Sequence, residues 1–219
     1  MPSGVTMVAQ LLSPENLREP VEASPALRAT HLWLFGVAYD LALEAEVGDA
    51  RALLLASVAA DGATSVADTP SARSATGLGA AIEQALLGLA AQLGVACDPV
   101  GRTTDRRALF VAGAMLPRVT SVDDGRHGVT VTVKGAVEAV LPCCTQYLDD
   151  QERAIPLTLE ARRRLRRAEG DYRGLGCTVV AVAHRAERDL VLIGLVALDD
   201  PDLVPWPTAR ALTTVPPIA

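Results

Sequence analysis

Val131-Thr132-Val133-Lys134-Gly135-Ala136-Val137-Glu138 is the stretch from which the fold is read. Its first half is rich in β-branched residues, which suit a pleated strand. Gly135 permits a break in direction, and Ala136 to Tyr147 reads as a short helix entered from it. Lysines and arginines together number 20, and Lys134 is the one lysine. An ammonium is a compact, rotatable point charge that suits phosphate contact, whereas Arg is a fixed fork of donors. An Arg-favouring composition would also leave a stray lysine with no task.

Outward from this stretch, the hydrophobic period changes along the chain. Downstream, Pro156 to Gly170 is an Arg-rich helix. Thr178 to His184 and Asp189 to Leu198 are β-prone runs joined by Arg185-Ala186-Glu187-Arg188. Upstream, Ala108 to Leu116 and Val129 to Lys134 are strands, with Pro117 to Gly128 as the turn region between them. Gly79 to Gly94 is a helix: Ile82, Leu86, Leu89 and Leu93 recur at spacings of three and four, and Gly94 is its stop. Asp61 to Thr76 is a loop, and Asp49 to Ala60 a helix capped by Asp49. Ala26 to Glu46 is dense in apolar residues and leans helical; Val5 to Leu12 is a strand. Helices mixed with hairpin-like strand pairs predict an α+β fold with an antiparallel sheet of about six strands. The expected organisation is an N-terminal strand/helix or hinge segment over 1–48, a core over 49–201 and a C-terminal linker over 202–219.

Composition bounds the function. The chain has 219 residues, half of them apolar but only 3% aromatic, so the core is aliphatic. A formal charge of −6 argues against a nucleic-acid binder. Adjacent Cys143-Cys144 with Cys97 and Cys177, and well-separated His31, His127 and His184, lack zinc-site spacing, so no metal site is expected. The cysteines are expected to stay reduced as small hydrophobes. No basic-then-apolar leader opens the sequence and no apolar run reaches eighteen residues, so neither a signal peptide nor direct membrane insertion is expected. Lys134 has no G-x-x-x-x-G before it and no Ser or Thr after it, which excludes a P-loop, and no G-x-S-x-G elbow occurs. The basic run Glu160 to Arg167 reads as a solvated helix face with Leu159 and Leu165 turned inward, rather than a membrane or nucleic-acid surface.

Four blocks in order resemble the nucleotide-binding (N) domain of P-type cation pumps. Val133-Lys134-Gly135-Ala136-Val137-Glu138, running on to Cys143-Cys144, is similar to the "VKGAPE…C" signature. Gly79 to Leu87 is similar to "GDPTEGALL", Thr178 to Arg185 to "RVLAVAYR", and Leu192 to Pro201 to "FVGLVGLxDPPR". The resemblance spans residues 50 to 201 and is nearest the calcium- and magnesium-type pumps; the His-Pro pair of heavy-metal pumps is absent.

That resemblance implies an ATP-binding cytoplasmic domain working with the phosphorylation and membrane domains of a parent pump, with Mg²⁺ carried on the nucleotide. It implies a pocket on one face of the sheet, between Glu83, the Arg102–Thr104 stretch, Lys134 and Gly135, with Ala136 beside them. Glu83 would accept from the adenine amino group; its other reading is a first-turn helix acid favoured by the macrodipole. Lys134 would line the nucleotide pocket at a strand end with its charge near the nucleotide, and its removal would weaken ATP binding with the fold intact. Glu138 either belongs with this group or solvates the helix after Lys134.

Two positions depart from the family pattern. Where the family stacks a Phe on adenine, this chain has Arg102, followed by Thr104 and Arg106-Arg107; a guanidinium can also stack on a base. Where the family has a phosphate-binding Arg, it has Thr178, with Arg173 as a substitute if the Gly174-Leu175-Gly176 turn brings it back. No D-K-T-G-T motif occurs. The expectation is therefore an excised or truncated N domain, or one piece of a larger pump, with no catalytic residues and no hydrolysis or transport of its own. The alternative is an N-domain-like scaffold or regulatory module that has lost nucleotide binding.

Overall fold

The computed structural model describes residues 27–43, 47–60, 77–96, 106–112, 118–125, 128–186 and 188–199. These form one nine-stranded sheet with helices on both faces. The strands are β1 (Arg28–Leu34), β2 (Val37–Asp40), β3 (Arg106–Ala112), β4 (Arg118–Gly125), β5 (Gly128–Gly135), β6 (Gln146–Leu148), β7 (Ala154–Pro156), β8 (Thr178–Ala186) and β9 (Asp189–Asp199). The main path runs β2-β1-β9-β8-β5-β4-β3, antiparallel throughout. β6 adds to the first half of β9 in parallel and pairs with β7. The helices are α1 (Ala50–Ala60), α2 (Gly77–Gln92), α3 (Val137–Val140) and α4 (Leu159–Gly174).

The α+β antiparallel class stands, with more strands than six. Three of the strands, β1, β2 and β4, come from stretches read otherwise. Ala26 to Glu46 holds no helix among its described residues; it is the β1–β2 hairpin, turned at Phe35 and Gly36, both with positive φ. Its apolar density reflects coverage on both faces: Leu32 and Leu34 point to one helical layer, while Trp33 and Phe35 pack on the other side. A strand buried on both faces shows no period of two. The predicted turn over Pro117 to Gly128 contains β4, whose Val119, Thr120 and Val122 pair with β5 and β3. Pro117 and Asp123-Asp124-Gly125 mark the two ends of that strand, and the turn reading merged them.

The helices follow local signals. Asp49 caps α1, its Oδ1 accepting from Arg51 N at 2.9 Å, and its Oδ2 accepts from Tyr39 at 2.7 Å. Burial pushes the Asp49 carboxyl up, but donors from Arg51 and Tyr39 outweigh it and hold the pKa below its ordinary value. α2 ends as expected near Gly94, which takes a φ of +67°. Val95 N then bonds back to Ala90 O at 2.8 Å, closing the helix end. Thr158 caps α4 by accepting from Ala161 N at 3.2 Å. Ala161, Leu165, Ala168 and Tyr172 form the buried face of α4. Leu159, expected to face inward, is exposed: it stands in the first turn, off that face.

Two apolar clusters flank the sheet. One joins α1 and α2 to Leu32, Leu34, Val180, Val182, Ile193 and Val196. The other joins α3 and α4 to Val133, Val179, Ala181, Leu192 and Leu195. β9 serves both because alternate side chains point to opposite faces, and its register slips by one residue where Val182 pairs with Gly194 but Ala183 with Leu192. That bulge lets a continuous apolar run change face. Cys144 and Cys177 are buried, and burial pushes their thiols up to about 12 and about 11. Cys143, expected to behave as a hydrophobe, is exposed and accepts a hydrogen bond from Arg118 Nη1 at 2.6 Å.

Burial depresses both described histidines. For His31, burial outweighs the opposing charges of Asp40 and Asp199; for His184, burial is the cause. A depressed pKa means the unfolded chain binds protons first, so stability rises with pH. The contribution is fully present above the unfolded value of about 6.5 and is lost as pH falls through the lower folded values. Thermal midpoints measured from pH 7.5 down to 5 are expected to fall, and His184→Gln is expected to flatten that slope.

Candidate functional site

The site is built where β5 passes under the α1–α2 layer. Val133 points to the α3–α4 cluster, so Lys134, the next residue, points to the opposite face. In the sheet Lys134 lies between Val119 of β4 and Val182 of β8. Its Nζ donates to Glu83 Oε2 at 2.5 Å and to the Ala59 carbonyl at 2.8 Å. Lys134 is 4% exposed and Glu83 6%.

Three elements converge on this ammonium. Ala59 is in the last turn of α1, where carbonyls lack helical donors and the macrodipole places negative charge. Glu83 comes from α2, which begins at Gly77, so the residue lies beyond the first turn, where the macrodipole would favour an acid. A buried carboxylate and ammonium tolerate each other's burial because each supplies the counter-charge and a strong hydrogen bond. Gly135 follows with a φ of 152°, a region that favours glycine, and Ala136 leads directly into α3. The chain therefore leaves the sheet one residue after the lysine.

Of the residues singled out in the sequence, Glu83, Lys134, Gly135 and Ala136 are thus gathered around one point. Arg102 and Thr104 lie outside the described residues. Arg173 does not come back to replace the absent arginine: it pairs with Glu138 at 3.0 Å and Glu169 at 3.0 Å, in the α3–α4 layer across the sheet from Lys134. Glu138 belongs to that group too. Burial pushes its carboxyl up, but its backbone hydrogen bond and Arg173 leave it lowered. Thr178 starts β8, paired with Leu198, well along the strand from Val182 and so from Lys134. The Ala59 carbonyl was the contact that sequence reasoning missed. Its signal was the end of α1, since any helix end offers acceptors to a cation.

Among the described residues, no group of three His, Cys, Asp or Glu side chains is placed to hold a metal. No helix among them is long and apolar enough to cross a membrane.

The family model described as P-type ATPase, cytoplasmic domain N, matches residues 50–202. No curated protein sequence matches the chain. The matched segment contains α1, α2, β5 and hence every group of the Lys134 cluster; β1 and β2 precede it but complete its sheet through the β1–β9 pairing.

Proposed function

This chain belongs to the family of P-type ATPase cytoplasmic N domains, and from that premise we propose that it is the ATP-binding domain of a cation-transporting pump. The observation that carries the reading is the meeting of Glu83 and Lys134, 51 positions apart in sequence. Composition does not account for that meeting, and the family's motifs name both residues. In this reading Lys134 lines the nucleotide pocket and places its charge near the nucleotide. Glu83 accepts from the adenine amino group, and the turn at Gly135-Ala136 brings backbone close to the nucleotide. Arg102 and Thr104 complete the pocket, with Arg102 stacking on the base. Mg²⁺ travels with ATP. Phosphoryl transfer belongs to a partner phosphorylation domain, and the cargo is a metal cation carried by partner membrane helices. The domain then sits on the cytoplasmic side of that membrane.

We place the domain core at 49–201 and its exit linker at 202–219. The β1–β2 hairpin of the 1–48 segment serves as the entry, next to the exit strand β9. The second reading is an N-domain-like scaffold without nucleotide binding. What favours it is that Lys134 and Glu83 already engage each other.

Titrating Mg·ATP into the isotopically labelled chain separates the two. Shifts at the Glu83, Lys134, Gly135 and Ala136 amides, saturating in the millimolar range or below, are expected. A spectrum unchanged at several millimolar ATP leaves the scaffold as the function.

A further inference from the structure

We propose that the outward ridge of α4, formed by Leu159, Arg163, Arg166 and Arg167, is a docking surface for an acidic peptide segment of a partner protein. The ridge lies in the α3–α4 layer, across the sheet from Lys134, so its task is separate from nucleotide binding.

α4 carries six arginines, and three have partners in the fold. Arg162 donates to the Leu141 and Cys144 carbonyls, each at 2.9 Å. Arg173 pairs with Glu138 and Glu169. Arg166 reaches Glu169 at 3.6 Å, with its side chain still 47% exposed. Arg163, Arg164 and Arg167 are exposed and make no hydrogen bond or ion pair among the described residues. Arg164 lies over the β1–β2 turn, where a Cβ on Gly36 would stand 2.9 Å from its Nη2. The other two join Arg166 and Leu159 at positions i, i+4, i+7 and i+8, one face of the helix. Leu159, at 75%, is the most exposed large apolar side chain among the described residues. Glu160 and Asp171 stand to one side of this face and pair with none of its arginines.

A face kept only for solubility mixes both signs of charge and needs no leucine at its end. Here one sign is displayed beside an apolar contact. A guanidinium presents paired donors that match the two oxygens of a carboxylate. The charge complement is therefore a run of Asp or Glu side chains with an apolar residue at the Leu159 end. Size selects the class of partner. Leu159 to Arg167 covers about 12 Å at about 1.5 Å per residue, the reach of a short peptide. Charges interact over about 8 Å at physiological salt, so such a peptide meets the ridge and little of the rest of the molecule. A duplex or an anionic membrane is extended, and sets the chain's net charge of −6 against its own negative field. The ridge also offers no aromatic side chain for a base to stack on, and a single leucine for a membrane to take up.

The test titrates the full chain into a fluorescent peptide, a leucine followed by a run of glutamates, and reads anisotropy. The comparators are the same peptide with glutamines for glutamates, phosphatidylserine vesicles and a short DNA duplex. The glutamate peptide is expected to bind and the glutamine peptide not to. Arg163→Glu with Arg167→Glu is expected to weaken binding at least about tenfold, the scale of two exposed ion pairs turned repulsive. Salt at about 1 M, where the screening length falls to about 3 Å, is expected to abolish it. Leu159→Ser is expected to weaken it roughly threefold, the share of one partly covered apolar side chain. Should the charge reversal disturb folding, as judged by circular dichroism, Arg163→Gln with Arg167→Gln removes the charges without adding acids. A loss of about threefold is then expected, and no loss overturns the docking surface. Failure of the glutamate peptide to bind at millimolar concentration, or equal binding to wild type and the reversed variant, also overturns it. Binding of the vesicles or the duplex through these arginines, with the peptide unbound, overturns it and gives the ridge to that surface instead.

Discussion

Lys134→Ala is expected to lower the unfolding free energy by about 3–5 kcal/mol, the cost of leaving one member of a buried ion pair without its partner. Both ends are sealed, with the Lys134 side chain 5% exposed and that of Glu83 8%. The carboxylate would face an apolar layer of α1 and α2, and the Ala59 carbonyl would lose its donor. Urea unfolding followed by circular dichroism measures the loss, and an unchanged midpoint would contradict the burial of the pair. The sequence suggested a lysine at a pocket wall that could be removed without harm to the fold. The structure makes it a fastener between the sheet and two helices. A double substitution, Lys134→Met with Glu83→Leu, removes both charges while keeping volume, and such replacements of buried pairs are often neutral in stability. It should recover most of the loss while binding no ATP, which separates the structural task of the pair from its binding task.

Gly194→Ala is expected to cost about 3 kcal/mol, at the upper end for overpacked cores. A Cβ at Gly194 would collide with the backbone oxygen of Trp33. It would also stand 2.7 Å from Leu34 Cδ2 and 3.0 Å from Leu55 Cδ1. The leucine side chains can rotate away, but the Trp33 carbonyl belongs to β1, whose pairing with β9 includes Trp33↔Leu195. The methyl therefore pushes apart the strands that hold the hairpin to the sheet. For a domain of this size the loss is roughly 6–12 °C in Tm. Calorimetry of the variant tests it, and a midpoint within 2 °C of wild type, small beside that roughly 6–12 °C, would mean that the Trp33 carbonyl does not lie against Gly194.

The two variants mark where the sequence was legible. α1 and α2 were readable because their signals are local: Asp49 at the cap, Leu86 and Leu89 on one face, Gly94 at the stop. β8 and β9 were readable because long β-prone runs bounded by charge leave little alternative. β1 was not, since a strand covered on both faces loses its period. β4 was not, because Asp123, Asp124 and Gly125 favour a turn when read alone and join the sheet through pairing with β5, and for Asp123 with β3 as well. Arg173 misled for a related reason: its position near the motif in sequence says nothing about which face of the sheet its helix covers.

For the site, sequence alone singled out the candidate residues. The lone lysine, its glycine and the helix glutamate follow from residue type and from motifs that span a few positions. The tertiary structure alone decided what those residues do to one another. Glu83 and Lys134 lie 51 positions apart, and their meeting depends on α2 packing over the sheet beside the end of α1. Contacts of that kind are set by how whole layers bury their apolar faces, a choice made by many residues together. The charge that local chemistry offers to a phosphate is, in the folded chain, already held by a carboxylate and a carbonyl.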